Sequence, residues 1–299
     1  MLGEHGKFDV EHALSIFADD FLVMPASEIY NCDTTQRYRS IVDNCHIYLI
    51  GTLPPMQIER FDGSEGLFKI DFSILHQNYR TEIEVPNLAR CQLVDGVCYL
   101  YDTEDRRINI NYNQFLRHIS NLTKRMVFNV LYIGQSFGQN GERNSLDRLK
   151  SHETLQRISL SEDLKGEALH VLLLSINDEN RTFTIFNPFA KKSDDDGSRI
   201  SNGVEKLFQT SDKERTTIFE ASLIRFFEPK YNKELKNSFP STKMKILKDC
   251  YAKDFSSVIA EICNDYIPFG FKSDKIEFCL DVMAIHNLHT EEERKAFFF

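Results

Sequence analysis

Met126-Val127-Phe128-Asn129-Val130-Leu131-Tyr132-Ile133-Gly134-Gln135-Ser136, followed by Arg148-Leu149-Lys150-Ser151-His152, is the stretch whose reading decides the fold. The apolar run from Met126 to Ile133 predicts a buried strand, and Gly134 predicts its end. Phe137 to Asn144 is polar and glycine-rich, the composition of a loop. Asn144 is a good N-cap residue, so a helix is expected to start near it and to carry Arg148 and His152. These two stand four apart and would share a face. A strand, a glycine turn, a loop and a cationic helix face together present groups to a phosphate.

Upstream of this stretch the chain reads as β-rich. Phe68, Ile70, Phe72 and Ile74 alternate with polar residues, as do Ile83 and Val85, and Ile108, Ile110 and Tyr112. Asp95-Gly96 between Leu93-Val94 and Val97-Cys98 is a hairpin signal. A helix is expected over Val10 to Phe17. Residues 1–112 therefore read as an antiparallel sandwich or barrel-like recognition or regulatory module. Residues 113–125 read as a linking helix through Phe115, Ile119 and Leu122. Downstream, Leu169 to Ile176 is a second apolar run, with Thr182 to Phe186 pairing back. Residues 190–212 read as a loop, and a helix over 214–228 ends at Pro229. The last part predicts a strand at Met244 to Leu247, a helix at Phe255 to Cys263, a strand at Ile267 to Phe271, and an apolar ending, Phe297-Phe298-Phe299. The fold class is α+β.

With 299 residues the chain can bury a large core and is expected to hold two domains. No apolar run reaches the roughly eighteen residues of a membrane span. The start of the chain lacks the apolar core of a signal peptide. Its 7 cysteines are scattered without a CxxC, which points to reduced thiols in a cytoplasmic protein. Net charge is −9, made of −6 over residues 1–125, −1 over 126–240 and −2 over 241–299. The central region is the least acidic but is not basic, so non-specific DNA affinity is expected to be weak and salt-sensitive. A partner or a second subunit would then supply the grip.

Tyr132-Ile133-Gly134-Gln135-Ser136 is similar to the second motif of the GIY-YIG nuclease family, and Arg148 with His152 resembles its arginine helix. Glu220-Ala221-Ser222-Leu223-Ile224 resembles the segment with the family's metal-binding glutamate. Pro229-Lys230-Tyr231-Asn232 resembles its closing Pro and Asn. The match covers about residues 126–235 and implies that residues 126–299 form an α/β catalytic domain with a C-terminal extension, a small mixed sheet being flanked by helices. The resemblance departs from the family at its opening tyrosine, which usually ends a strand about ten residues before the second motif and helps activate water. No such motif stands there; Gly96-Val97-Cys98-Tyr99 is the nearest look-alike. Tyr99, Tyr101 and Tyr112 upstream, or His152 downstream, are the candidates to replace it.

Phosphodiester hydrolysis requires activated water, compensation of charge on the transition state and a stabilised leaving alkoxide. Arg148 suits the phosphate because its guanidinium is forked and always charged. Tyr132 or His152 can position or deprotonate water, and Asn232 can orient a metal ligand or phosphate. Each has a plainer reading: Tyr132 as a core tyrosine, Arg148 as a surface ion-pair partner of Asp147 or Glu153, His152 as a cap. Glu220 has no basic residue at the positions three or four away on its helix. Sharing a stripe with Ile224 and Phe227, it calls for compensation by a metal ion or by an arginine such as Arg148. His286 and His289 read as a surface pair.

The resemblance implies a Mg²⁺- or Mn²⁺-dependent DNA endonuclease with Tyr132, Arg148, His152, Glu220 and Asn232 as catalytic residues and Glu220 on the metal. Bacterial restriction or anti-phage defence would suit it by analogy. A homo-oligomer or regulatory protein partner is expected, and no membrane. The alternative is a catalytically inactive nucleic-acid-binding or assembly subunit, and a third reading is a plain interaction module.

Overall fold

The computed structural model describes residues 9–94, 97–136, 145–177, 181–186, 210–234, 256–262 and 265–288, with isolated positions at 197–198, 201, 205 and 292–293. Fourteen strands, seven α-helices and a short 3-10 helix (Ala26–Tyr30) are assigned among these residues, and the chain is α+β. The strands are β1 (Val10–Pro25), β2 (Cys45–Leu53), β3 (Met56–Ser64), β4 (Leu67–Ile74), β5 (Gln77–Glu84), β6 (Leu88–Val94), β7 (Val97–Asp102), β8 (Arg107–Ile108), β9 (Val127–Gln135), β10 (Ala168–Ile176), β11 (Arg181–Phe186), β12 (Ser257–Ile262), β13 (Gly270–Lys272) and β14 (Val282–Asn287). The helices are α1 (Cys32–Arg37), α2 (Arg39–Val42), α3 (Tyr112–Thr123), α4 (Ser145–Lys150), α5 (Glu153–Ser161), α6 (Asp212–Phe227) and α7 (Lys230–Glu234).

An eight-stranded mixed sheet runs β13-β9-β2-β10-β1-β12-β14, with β11 added to β1. The strand β1 is its spine. One edge takes β10 opposite Ala18 to Pro25 and then β11 opposite Val10 to Ser15, while the other takes β12 in parallel. The helix expected over Val10 to Phe17 is therefore a strand. Every residue from Val10 to Ile16 is buried, so both faces carry core side chains and the period-2 alternation is erased. The helix expected at Phe255 to Cys263 is likewise a strand, β12, in which Val258, Ala260 and Ile262 are buried and Ile259 and Glu261 half-buried. Thr182 to Phe186, expected to pair back on the Leu169 to Ile176 run, pairs with β1 instead. The Ile267 to Phe271 strand is β13, paired with β9 from Gly270 to Lys272.

The division at residue 112 does not follow this sheet, because β1 and β2 lie among strands from the second half of the chain. The separate unit is shorter. Between the ends of β2 and β9, which are antiparallel neighbours, residues 56–123 form two three-stranded sheets, β3-β4-β5 and β6-β7-β8, closed by α3. Phe68, Ile70, Phe72 and Ile74 from β4 meet Leu88, Leu100, Phe115, Leu116 and Ile119 in its core. Here the alternation expected from sequence holds in β4, while the strand expected through Ile108, Ile110 and Tyr112 stops at Ile108, because Asn111 caps α3 by accepting from Asn113 and Gln114 and Tyr112 opens that helix.

Helices cover both faces of the large sheet. On one face α6 sets Ile218, Phe219, Leu223 and Phe227 against Phe128, Val130 and Ile133. On the other α4 and α5 set Leu146, Leu149, Leu155 and Ile158 against Tyr48, Ile50 and Leu131. A Ser211–Glu214 capping box opens α6, and Glu228 in left-handed conformation ahead of Pro229 closes it. Among the described residues no helix is long and apolar enough to cross a membrane. Phe137 to Asn144, Met244 to Leu247, Phe297 to Phe299 and most of 190–212 lie outside the described residues.

Candidate functional site

The site grows from the β2–β9 pair, in which Tyr48 stands directly opposite Gly134 and Ile50 opposite Tyr132. Gly134 does not end the strand, which runs on to Gln135. It leaves a slot for the phenol of Tyr48: a Cβ at Gly134 would lie 2.5 Å from both Cζ and Oη of that ring. Tyr48 is fully buried.

Two donors converge on the Tyr48 oxygen. Arg148, near the end of α4, donates its Nε–H at 3.2 Å, and His152 Nε2 lies at 2.9 Å. The single helix expected to carry both is two helices. The chain breaks at Ser151, and His152 becomes the N-cap of α5, its Nδ1 accepting the Leu155 N–H at 3.3 Å. That bond fixes the tautomer. With Nδ1 as acceptor, the proton of the neutral ring sits on Nε2 and points at Tyr48. Burial, followed by the charge of Arg148, pulls His152 down to about 4, so the ring is neutral near pH 7.

Tyr132 packs beside this group, its ring centroid 5.2 Å from His152 and 6.2 Å from Tyr48. Burial, then the negative charge of Glu220, pushes its phenol up to about 12, while a hydrogen bond with the Tyr48 hydroxyl works the other way. Burial raises Tyr48 well above the tyrosine range, seconded by Tyr132 and opposed by the charge and hydrogen bond of Arg148. Burial also works against the charge of Arg148, but Tyr48, Tyr132 and Glu220 together hold its pKa above the usual arginine value. Glu220 itself is buried on α6 at 3% exposure. Tyr132, Arg148, His152 and Glu220 are thus brought into one electrostatic neighbourhood, with Tyr48 at its centre.

Asn232 takes a different position. Because β13 pairs with β9 only as far as Asn129, the edge of β9 is open farther on. Asn232 fills that edge at Ile133, accepting its N–H and donating to its carbonyl, both at 2.8 Å. The role of orienting a metal ligand or phosphate is accordingly corrected. The amide acts as a strand neighbour and holds α7 on β9. Beside it, Tyr231 donates to Glu162 at 2.7 Å, which ties α7 to the end of α5.

Of the replacements expected for the missing tyrosine, His152 stands in this cluster, and the three upstream tyrosines lie elsewhere. Tyr99 and Tyr101 stand on β7 with Arg107 and Arg90 over their rings at 3.9 and 4.0 Å, and Tyr112 opens α3, exposed. Spacing in sequence does not point to Tyr48, because residues 56–123 are interposed between it and Tyr132. The available signal was the apolar run Ile47-Tyr48-Leu49-Ile50, a buried strand with a single polar atom to satisfy. Of the histidine pair, His286 donates to the Ser222 carbonyl at 3.0 Å, and His289 lies outside the described residues.

Gln135 and Thr217 complete the surroundings. Gln135, next after Gly134, is buried and its amide nitrogen reaches Thr217 Oγ1 on α6 at 3.4 Å. No cluster of three or more His, Cys, Asp or Glu side chains suited to a metal ion occurs among the described residues. No protein-family model matches the chain at a significant level, and neither does a curated protein or a solved structure.

Proposed function

We propose that the chain is a metal-dependent phosphodiesterase of the GIY-YIG type that cleaves DNA. The observation that supports this reading is Tyr48. It is a tyrosine on the strand antiparallel to the Tyr132-Ile133-Gly134 strand, bonded to Arg148 and His152. It supplies the group that the sequence resemblance lacked. The distance of Tyr48 from Tyr132 in sequence follows from the module inserted between two adjacent strands.

The chemistry follows from the bonds. Two N–H donors aimed at one phenol oxygen stabilise its anion and offset part of the cost of burial, which still holds Tyr48 well above the tyrosine range, so the phenolate forms only on the alkaline side. In the phenolate form its oxygen takes the proton of the attacking water. The water oxygen bonds to phosphorus, the bond to the leaving sugar oxygen breaks, and that oxygen takes a proton from solvent. Arg148 uses Nε on Tyr48, which leaves its two terminal nitrogens for the phosphate oxygens. His152 holds the Tyr48 oxygen from the other side. The Glu220 carboxylate, whose charge acts on both phenols, is a hard oxygen donor and fits a divalent cation such as Mg²⁺ or Mn²⁺. Held by Glu220, that cation would supply charge compensation for the leaving oxygen.

A second reading, an inactive nucleic-acid-binding or assembly subunit, is favoured by the complete burial of Tyr48, whose hydroxyl must be reached by water for the chemistry. Incubating plasmid DNA and RNA with the chain in Mg²⁺ or Mn²⁺, against EDTA, separates the two. Metal-dependent cleavage of DNA supports the first reading, and binding without cleavage supports the second. A role in restriction or anti-phage defence rests on analogy.

A further inference from the structure

Gln135 carries the one buried side-chain acceptor of the β9 strand end that has no hydrogen-bond partner among the described residues, its Oε1. The residue is 9% exposed. The amide is not simply turned the wrong way. Thr217 donates its hydroxyl proton to the Lys213 carbonyl at 2.8 Å, so Thr217 Oγ1 can only accept. The group of Gln135 facing it must be the NH₂, which leaves the carbonyl oxygen directed away from Thr217 without a donor. A buried amide oxygen in this state costs stability unless something outside the chain compensates it.

The location says what that compensation is. Thr217 and Glu220 are three apart on α6, so they stand on one face of the helix, one turn from each other. The orphan oxygen is thereby anchored a helical turn from a buried carboxylate, beside the strand that carries Tyr132. A carboxylate and an amide carbonyl, on residues that are both buried, are hard oxygen donors of the kind Mg²⁺, Mn²⁺ and Ca²⁺ take.

We propose that Gln135 Oε1 is the second protein ligand, with Glu220, of a divalent-cation site between β9 and α6. This rests on the reading of Glu220 as a cation ligand. Glu220 supplies charge, and Gln135 supplies direction. Holding the amide through Thr217 fixes the cation on the β9 side of α6, toward Tyr132, and water or substrate oxygens complete its shell.

The test is cation binding by the full chain, read without DNA. Mn²⁺ affinity is measured by calorimetry. Tb³⁺ binding is measured by its tyrosine-sensitised emission, for which the absence of tryptophan makes Tyr48 and Tyr132 the near donors. Gln135→Met keeps length and removes the acceptor. It is expected to weaken Mn²⁺ at least about tenfold, the usual minimum for loss of a supporting partner, while the unfolding midpoint stays equal or rises. Gln135→Glu is expected to tighten Mn²⁺. Unchanged Mn²⁺ affinity in Gln135→Met, alongside lost affinity in Glu220→Gln, overturns the Gln135 assignment and leaves Glu220 as ligand; a buried water at Oε1 would give that outcome. Wild-type affinity in Glu220→Gln, or no cation binding by the wild-type chain, overturns both.

Discussion

The inserted module of residues 56–123 and the Tyr48 cluster on the large sheet are held together by opposite means. The module has alternating strands, a dry core under one face and charge pairs in solvent on the other. Arg80 binds Asp71 through two bonds at 2.5 and 2.8 Å, with the arginine side chain 70% exposed. The Tyr48 cluster buries a phenol, an imidazole and part of a guanidinium, joined by bonds that span 100 and 104 residues of sequence. Exposed pairs contribute little to stability, because water competes with them. Buried polar groups must be matched, and each becomes expensive when its partner is removed. Substitutions that are silent in the module should therefore be costly in the cluster.

The largest effect is expected at Glu220. Glu220→Gln keeps the shape and removes the charge, and cleavage should fall by about two decades or more if a cation compensates the transition state there. Because Glu220 helps to raise Tyr132, the same variant should lower the Tyr132 pKa from about 12, read by ultraviolet titration of the phenols. An unmoved Tyr132 would separate the two residues and dissolve the cluster.

Next comes Gly134→Ala. The added Cβ would meet the Tyr48 hydroxyl and Tyr132 ring at 2.5 and 2.9 Å. Overpacking of this kind typically costs about 1–3 kcal/mol, measurable by denaturant unfolding. A neutral result would mean that Tyr48 moves freely and is not held for a purpose.

A smaller effect concerns pH. His152 falls from 6.5 to about 4 on folding. Between those values the unfolded chain binds the proton and the folded chain does not, so this group makes stability rise with pH. Its contribution is complete above pH 6.5 and is lost as pH falls toward 4. Comparing the unfolding midpoints of wild type and His152→Gln over that window should show the wild type losing more stability on acidification. Equal slopes would assign the proton elsewhere. At the bottom of the scale, Arg80→Ala in the module should leave the unfolding midpoint unchanged within error.

The same contrast explains what the residues disclosed before the fold was known. Phe68 to Ile74, the α3 helix and α6 follow from local periodicity and, for the end of α6, from Pro229, and each element overlaps the range expected for it. The strand β1 was read as a helix because a strand buried on both faces loses its alternation, and nothing within Val10 to Phe17 says that β11 and β12 flank it. His152 was placed on the helix of Arg148 by spacing alone. The break at Ser151 depends on the Leu155 N–H finding the imidazole, a choice made by packing. Tyr132, Arg148, His152 and Glu220 were legible as a set through their order in the chain. Tyr48 was not, since an intervening module leaves strand pairing in space intact while it destroys spacing in sequence. Asn232 was picked out correctly as special but for the wrong reason: its amide completes the edge of β9.

The central claim is that the Tyr48 oxygen, gripped by Arg148 and His152, takes the proton of the attacking water. The most direct measurement is the single-turnover rate of DNA cleavage in Mn²⁺ as a function of pH, for wild type and Tyr48→Phe, with circular dichroism to verify that both are folded. The wild-type rate should rise about tenfold per pH unit on the alkaline side, as phenolate accumulates. Tyr48→Phe should be slower by about two to four decades, the usual contribution of a general base, and flat over the same range. A folded Tyr48→Phe that cleaves at the wild-type rate with the same pH profile would contradict the account.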